Sequence, residues 1–231
     1  MAPAQTAPRP PRLPTDLRSV DTPVLDDDVL LSDMLVCGDL SGGEHADVVI
    51  ERCRIANAAF IGSGLPRLRL IDVVVENVDL SGADLDASSL SRVEFRNCRM
   101  SGVIFTRCRF ADVTVTDCRL DRANLRMSEF RFVTFEDVDL SGGEFYGGAL
   151  EHVRFLDCNL AGSEFSKSRS VGVRFHGSNL LDLKGAQYLG GSTIEMSQAL
   201  SLGLEVLSAL DITVDDDRGP DPEEPRDPRP R

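Results

Sequence analysis

Apolar residues recur at every fifth position from Ile50 to Leu180, and 26 of the 27 positions in that series are apolar. Only Ser170 breaks it. Ten of the eleven Phe residues lie on the series, and Phe132 is the exception. A second series lies two residues earlier and is small, with members such as Cys53, Ala58, Ser63, Val73, Ala83, Ser88 and Val93, and with Leu68 as its one large member. A spacing of two puts both side chains of a unit on one face of an extended segment. A period of five walks around a helix of 3.6 residues per turn and makes no helical stripe. Five is also odd, so a straight strand would swap faces at each unit. The chain must therefore bend once per unit.

A slower rhythm counts the bends in a turn. Gly42, Gly62, Gly82, Gly102, Gly142 and Gly162 recur at intervals of 20, with Arg122 as the one departure. Four units then close a square coil, and one corner of each coil is expected to use the positive φ that glycine tolerates. Large residues should fill the axis and small ones sit beside them, leaving no voids. At the ordinary strand spacing of about 4.8 Å, seven to eight coils make a rod of about 35 Å.

The units read Val-Asp-Leu-Ser-Gly at Val78–Gly82, Ala-Asp-Leu at Ala83–Leu85 and Ala-Asn-Leu at Ala123–Leu125. This pattern resembles the pentapeptide-repeat family, whose units run Ala-(Asp/Asn)-Leu-x-x. The resemblance implies an all-β solenoid, a right-handed quadrilateral β-helix of pentapeptide repeats, often dimeric through a C-terminal element. It supplies no catalytic residues.

Around this core the chain divides further. Residues 1–23 hold six prolines and read as a disordered arm. Residues 24–183 form the β-helix, with an imperfect first coil where His45 replaces an apolar residue. Residues 184–214 form a C-terminal cap. Within it, Ser192-Thr193-Ile194-Glu195 reads as a capping box before a helix over about 193–209. The apolar stripe of that helix, Met196, Leu200, Leu204 and Leu207, is expected to cover the open end of the solenoid, or to pair two copies. Residues 215–231 are charged and proline-rich and read as a disordered acidic tail.

Charge narrows the partners. The net charge of −13 disfavours direct binding to nucleic acid or to an anionic membrane, and residues 211–231 supply −4 of it. No secretory signal or membrane-length apolar run is visible, so a cytoplasmic protein is expected. Five of the six cysteines fall in the small inward series, where reduced packing residues are expected and no zinc-site spacing appears. His45, His152 and His176 fall on different coils and faces, so no nucleophile, base and orienting group come together. A non-enzymatic protein without a cofactor is expected, with an enzyme or metal-binding β-helix as the reading of another class.

Outward positions carry what remains. Residues 20 apart stack, so Asp117, Asp137 and Asp157 form an acidic stripe, which either imitates a phosphate backbone or serves the turns. Arg126, Met127, Arg131, Phe132, Tyr146 and His152 form a candidate partner patch on two neighbouring coils, or a place where a tail folds back. Acidity and rod shape are similar to those of the Qnr-type and mycobacterial members of the family. That likeness implies a protein partner such as DNA gyrase or another type II topoisomerase, bound by imitation of DNA. A scaffold of unassigned partner is the broader expectation.

Overall fold

The computed structural model of the chain describes residues 5–214. The first coils are built from β1 (Arg18–Asp21), β2 (Leu30–Ser32), β3 (Met34–Asp39), β4 (Val49–Glu51) and β5 (Arg54–Ala59). Five eight-residue strands follow at intervals of 20: β6 (Arg69–Glu76), β7 (Ser89–Arg96), β8 (Arg109–Thr116), β9 (Glu129–Glu136) and β10 (Ala149–Leu156). The sheet ends with β11 (Arg169–Val171), β12 (Arg174–His176) and β13 (Thr193–Ile194), and α1 (Ala199–Ala209) closes the described chain. All strand pairs are parallel, and Leu70, Leu90, Phe110, Phe130 and Leu150 lie in one register line. The result is a parallel-strand β-solenoid of about nine turns, rather than seven to eight.

Each eight-residue strand covers two faces of a coil. The other two faces are held by single bridges, such as Asp79 with Arg99 and Asp84 with Ile104. On those faces the polar residue before the central Leu closes the bend. The Asp79 carboxylate accepts from the Ser81 N–H at 2.9 Å, Asp84 from Asp86 at 3.0 Å and Asp139 from Ser141 at 3.1 Å. This is the physical content of the Asp-Leu motif: a side chain stands in for a turn acceptor.

The corners depart from expectation. Not one corner per coil but all four lie in the left-handed region. Each of the 29 positions spaced by five from Gly42 to Asp182 has positive φ, including Ala87 at 56°, Met127 at 58° and Phe132 at 52°. Four bends of one kind close the square, and the Gly period of 20 marks only the row where glycine is used most often. Non-glycine residues are rare in this region, so closure of the coil overrides local preference here.

Inside, one large and one small side chain per unit point at the axis. In the C-terminal half the large ones are stacked rings. Phe135, Phe155 and Phe175 form one column, with centroids 5.2 and 5.0 Å apart. Phe145 and Phe165 form another at 4.6 Å, edge-on to the first. The N-terminal half uses mostly Ile, Leu and Val, with Phe60 and Phe95 among them, and leaves an apolar cavity of about 30 Å³ beside Leu65, Val75, Leu85 and Phe95, so the axis is not free of voids. The small residues also satisfy backbone groups. The Ser128 hydroxyl accepts from the Cys108 N–H at 2.9 Å and donates to the Phe105 carbonyl at 2.6 Å. Cys118 Sγ takes the same place opposite the Cys98 N–H at 3.3 Å. All six thiols are free, five are buried, and Cys37 is half-buried.

Both ends differ from the sequence reading. The first coil is distorted: β2 pairs with β4 at an offset of 19, and a bulge interrupts the β3–β5 ladder between Val36 and Gly38. Residues 1–23 were expected to be a disordered arm, yet residues 18–21 are β1, in parallel with β3. Upstream of it the arm lies against the solenoid. The Arg12 N–H donates to Asp72 Oδ1 at 3.0 Å, the Arg9 N–H to Asp112 Oδ1 at 3.1 Å, and Arg9 Nε to Asp112 Oδ2 at 3.0 Å. Composition could not show this, because the acceptors lie 60 and 103 residues away in sequence.

At the other end, residues 193–194 extend the sheet and residues 196–198 form a 3₁₀ turn, so the α-helix begins at Ala199, not near 193. The capping box lies three residues later than expected. Glu195 is its first residue, and the Glu195 N–H donates to Gln198 Oε1 at 2.8 Å. Buried Gln198 also donates to the Ser178 carbonyl at 2.7 Å, which pins the helix start to the last coil. This phase turns Leu202 and Val206 toward the core and leaves Met196 at 89%, Leu200 at 75% and Leu204 at 44% exposure, with Leu207 half-buried. The expected stripe therefore does not seal the solenoid end.

Candidate functional site

Asp117, Asp137 and Asp157 are exposed and occupy successive corners, with φ of 53°, 54° and 52°. They continue a ladder of corner asparagines in which the Asn97 amide donates to the Asn77 amide oxygen at 2.6 Å, and Asn77 to Asn57 at 3.4 Å. Asn and Asp tolerate this backbone better than other side chains, so the turn accounts for their residue type. Among the described residues none of the three Asp forms an ion pair. The shallow depression beside them carries both signs, from Asp79, Arg99, Arg119 and Asp139. Of the −13 charge, −3 lies in residues 215–231, which leaves −10 for residues 5–214. Over about nine turns at about 4.8 Å each, that is one net negative charge per ~4 Å. Duplex DNA carries one per about 1.7 Å.

The six residues of the aromatic patch separate into two groups on adjacent corners. In the first, the Arg126 guanidinium lies 4.7 Å from the Tyr146 ring centroid, and Lys167 Nζ approaches the same ring at 5.2 Å. Arg126 also pairs with Glu144 at 3.3 Å, and Met127 is 59% exposed. In the second, Phe132 stacks on His152 at 5.0 Å with planes 8° apart, and Arg131 lies 5.4 Å from the Phe132 centroid. Phe132 points away from the axis yet is only 9% exposed, so it is not the open aromatic the sequence suggested. The rung below it and a neighbouring guanidinium cover it. Between the two groups lies a face lined by Arg109, Glu129, Arg131, Glu151 and Arg169, and bordered by Val171 at 51% exposure.

Two corner carboxylates were missed by the sequence reading. Asp72 is 8% and Asp112 is 5% exposed. Asp72 is held in a two-pronged pair by Arg92, with both distances 2.6 Å, and this hydrogen bonding keeps its carboxyl below the usual range. Among the described residues no group of three or more His, Cys, Asp or Glu is arranged to hold a metal ion. Burial pushes the Cys108 thiol up to about 12 and Cys158 up to about 11, which makes these two poor nucleophiles. Among the described residues no helix is long and apolar enough to cross a membrane.

The coil, its corners and the Asp-Leu turn define a pentapeptide solenoid. The family model described as "Pentapeptide repeat region" matches residues 48–125, 88–165 and 109–184, and the chain belongs to the pentapeptide-repeat family. Solved structures similar to it include full-length QnrB1, a plasmid-mediated fluoroquinolone resistance protein, at 20% identity over 81% of this chain and 99% of that one, with a TM-score of 0.39. HetL from the cyanobacterium Nostoc, involved in heterocyst differentiation regulation, is 14% identical over 73% of this chain and 90% of that one, with a TM-score of 0.29. A pentapeptide repeat protein of the Arabidopsis thaliana thylakoid lumen is 18% identical over 55% and 72%, with a TM-score of 0.22. No curated protein matches the chain. At these values the likenesses say nothing of what the chain does.

Proposed function

We propose that this chain is a non-enzymatic binding rod that presents fixed outward ladders to a protein partner in the cytoplasm. The observation that carries it is the unbroken 20-residue register from β6 to β10. Backbone pairing and an apolar axis hold each outward residue in place, so the outer positions can vary without cost to the core. The face between Met127 and Arg131 fits such a role best, because an exposed Met, an Arg–Tyr stack and unburied Arg residues are the groups that anchor protein contacts. The net negative charge disfavours a nucleic acid or an anionic membrane as the target, which leaves a protein. A charge density below half that of DNA, broken by Arg99 and Arg119, also weighs against imitation of DNA as the main role. The test is a photo-crosslinking residue at position 127 of the full chain in its source cells. A discrete crosslinked partner should appear, and it should vanish when Arg126→Glu and Arg131→Glu are added. A crosslink indifferent to those changes, or none, refutes this face.

The exposed, unpaired ladder of Asp117, Asp137 and Asp157 favours a second reading, a DNA-mimic modulator of a type II topoisomerase such as DNA gyrase. It is tested by gyrase supercoiling with and without a fluoroquinolone. Protection or inhibition at micromolar protein, lost when all three Asp become Asn, supports it; no effect at any concentration retires it. The exposed apolar face of Met196, Leu200 and Leu204, with Leu207 beside it, supports pairing of two rods through the C-terminal helix. Leu200→Asp with Leu204→Asp should then halve the mass in light scattering, and an unchanged mass rejects the dimer.

A further inference from the structure

The arm over residues 5–14 has the sequence Gln-Thr-Ala-Pro-Arg-Pro-Pro-Arg-Leu-Pro. Gln5, Pro8, Pro11 and Pro14 are half-buried and Leu17 continues the series, with Leu13 half-buried between them; Thr6, Ala7, Arg9, Pro10 and Arg12 are exposed. Three is the period of polyproline II, which presents one edge every third residue and leaves its backbone N–H groups free to donate. Those free donors are what the solenoid takes. Arg9 gives its N–H to Asp112 and Arg12 gives its N–H to Asp72.

The spacing fits on both sides. Three residues of polyproline II advance about 9.3 Å. Asp72 and Asp112 are two coils apart on one corner row, which is about 9.6 Å at the strand spacing. The rung between them is Arg92, whose guanidinium grips Asp72 and leaves one Asp Oδ1 shared with the arm. At the upper rung, Asp112 receives Gln5 Nε2, the Arg9 N–H and Arg9 Nε together. Both carboxylates are almost fully covered, at 8% and 5% exposure, so this is a seat and not a chance surface contact. A left-handed corner aims each Asp outward, and the coil repeat sets the distance between them.

We propose that the corner row Asp72–Arg92–Asp112 is a binding groove for a proline-rich peptide, and that the chain's own arm occupies it; the peptide needs an Arg that gives its N–H and guanidinium to Asp112, and a non-proline residue three positions on that gives its N–H to Asp72. The partner is a segment of another protein with that chemistry, which displaces the arm. The arm is tethered, so it acts at an effective concentration of about millimolar. A peptide that binds the open groove at about 10 μM would then bind the closed form about 100-fold more weakly. Loss of arm contacts is therefore the step that exposes the groove.

The experiment uses the full chain. Arg9→Pro with Arg12→Pro keeps the polyproline conformation but removes both backbone donors and the Arg9 side chain. A fluorescent peptide of residues 5–14 is titrated by anisotropy against the native chain and this variant. The variant should bind the peptide in the micromolar range, at least 10-fold more tightly than the native chain. Adding Asp72→Asn and Asp112→Asn should abolish the gain, while the far-UV circular dichroism stays unchanged. Equal binding to native chain and variant, no binding to either, or binding that survives the two Asn changes overturns the groove. A native chain that is dimeric in light scattering and becomes monomeric in the proline variant makes the arm an exchange device between copies, and overturns the proposal of a separate partner.

Discussion

Ala87 tests the corner geometry, which is the feature that shapes everything else. It is exposed, sits at φ 56°, and gives its N–H to the Thr106 carbonyl at 2.8 Å. If the segment were an ordinary strand, Val would be the best residue there, Ala intermediate and Gly the worst, with Ala→Gly costing about 0.5–1 kcal/mol. A left-handed corner reverses the order. The conformation costs an L-residue roughly 1–2 kcal/mol and costs Gly almost nothing. Against that stands the extra freedom of Gly in the unfolded chain, about 0.4–1 kcal/mol. Ala87→Gly should therefore stabilise by about 0.5 kcal/mol. Ala87→Val crowds a branched Cβ into the same bend and should destabilise by about 1–2 kcal/mol. The backbone hydrogen bond is kept in both variants, so it cancels. The assay is urea unfolding followed by far-UV circular dichroism, with the slope checked to be constant across the three proteins. The signal is the gap between the Gly and Val variants, about 2 kcal/mol in favour of Gly. A Val variant as stable as the Gly variant would refute the corner assignment.

Three further outcomes follow from the same structure. Phe155 lies between Phe135 and Phe175 in a ring column, whereas Phe95 has Val75 and Val115 as its register neighbours, so Phe155→Leu should cost about 1–2 kcal/mol more than Phe95→Leu in the same unfolding assay; equal costs would deny the column any role beyond volume. The Arg92 pair lowers the Asp72 carboxyl below its ordinary value, so the unfolded chain takes up the proton first as pH falls; the stabilisation is whole above about pH 4 and fades through the lower folded value. Asp72→Asn should thus cost about 1–2 kcal/mol at pH 7 and much less at pH 3, and a cost that does not change with pH would count against the pair. Thiol titration of the native chain should find Cys37 alone reactive, with all six thiols appearing in denaturant; rapid reaction of Cys108 or Cys158 in the native state would contradict their burial.

The five-residue apolar series, read with the small series two positions earlier, was sufficient for the coil. Side-chain size and spacing alone decide which residues can share a narrow axis, and a repeat writes that constraint into every unit. The stacking of Tyr146 on Arg126 and of His152 on Phe132 was legible for the same reason, since residues 20 apart share a rung. The family, too, was legible in the Asp-Leu units, because their turn is closed by a bond only two residues long. Tertiary structure decided the rest. Arg, Met, Phe and Ala carry no local signal for positive φ, so the four equal corners follow from closure of the coil, not from residue preference. The helix phase depends on Gln198 reaching the Ser178 carbonyl, a contact across a coil that turned the expected stripe outward. The arm is the plainest case. A proline-rich segment has no core of its own, and its place was set by two carboxylates whose spacing exists only once the coils are stacked.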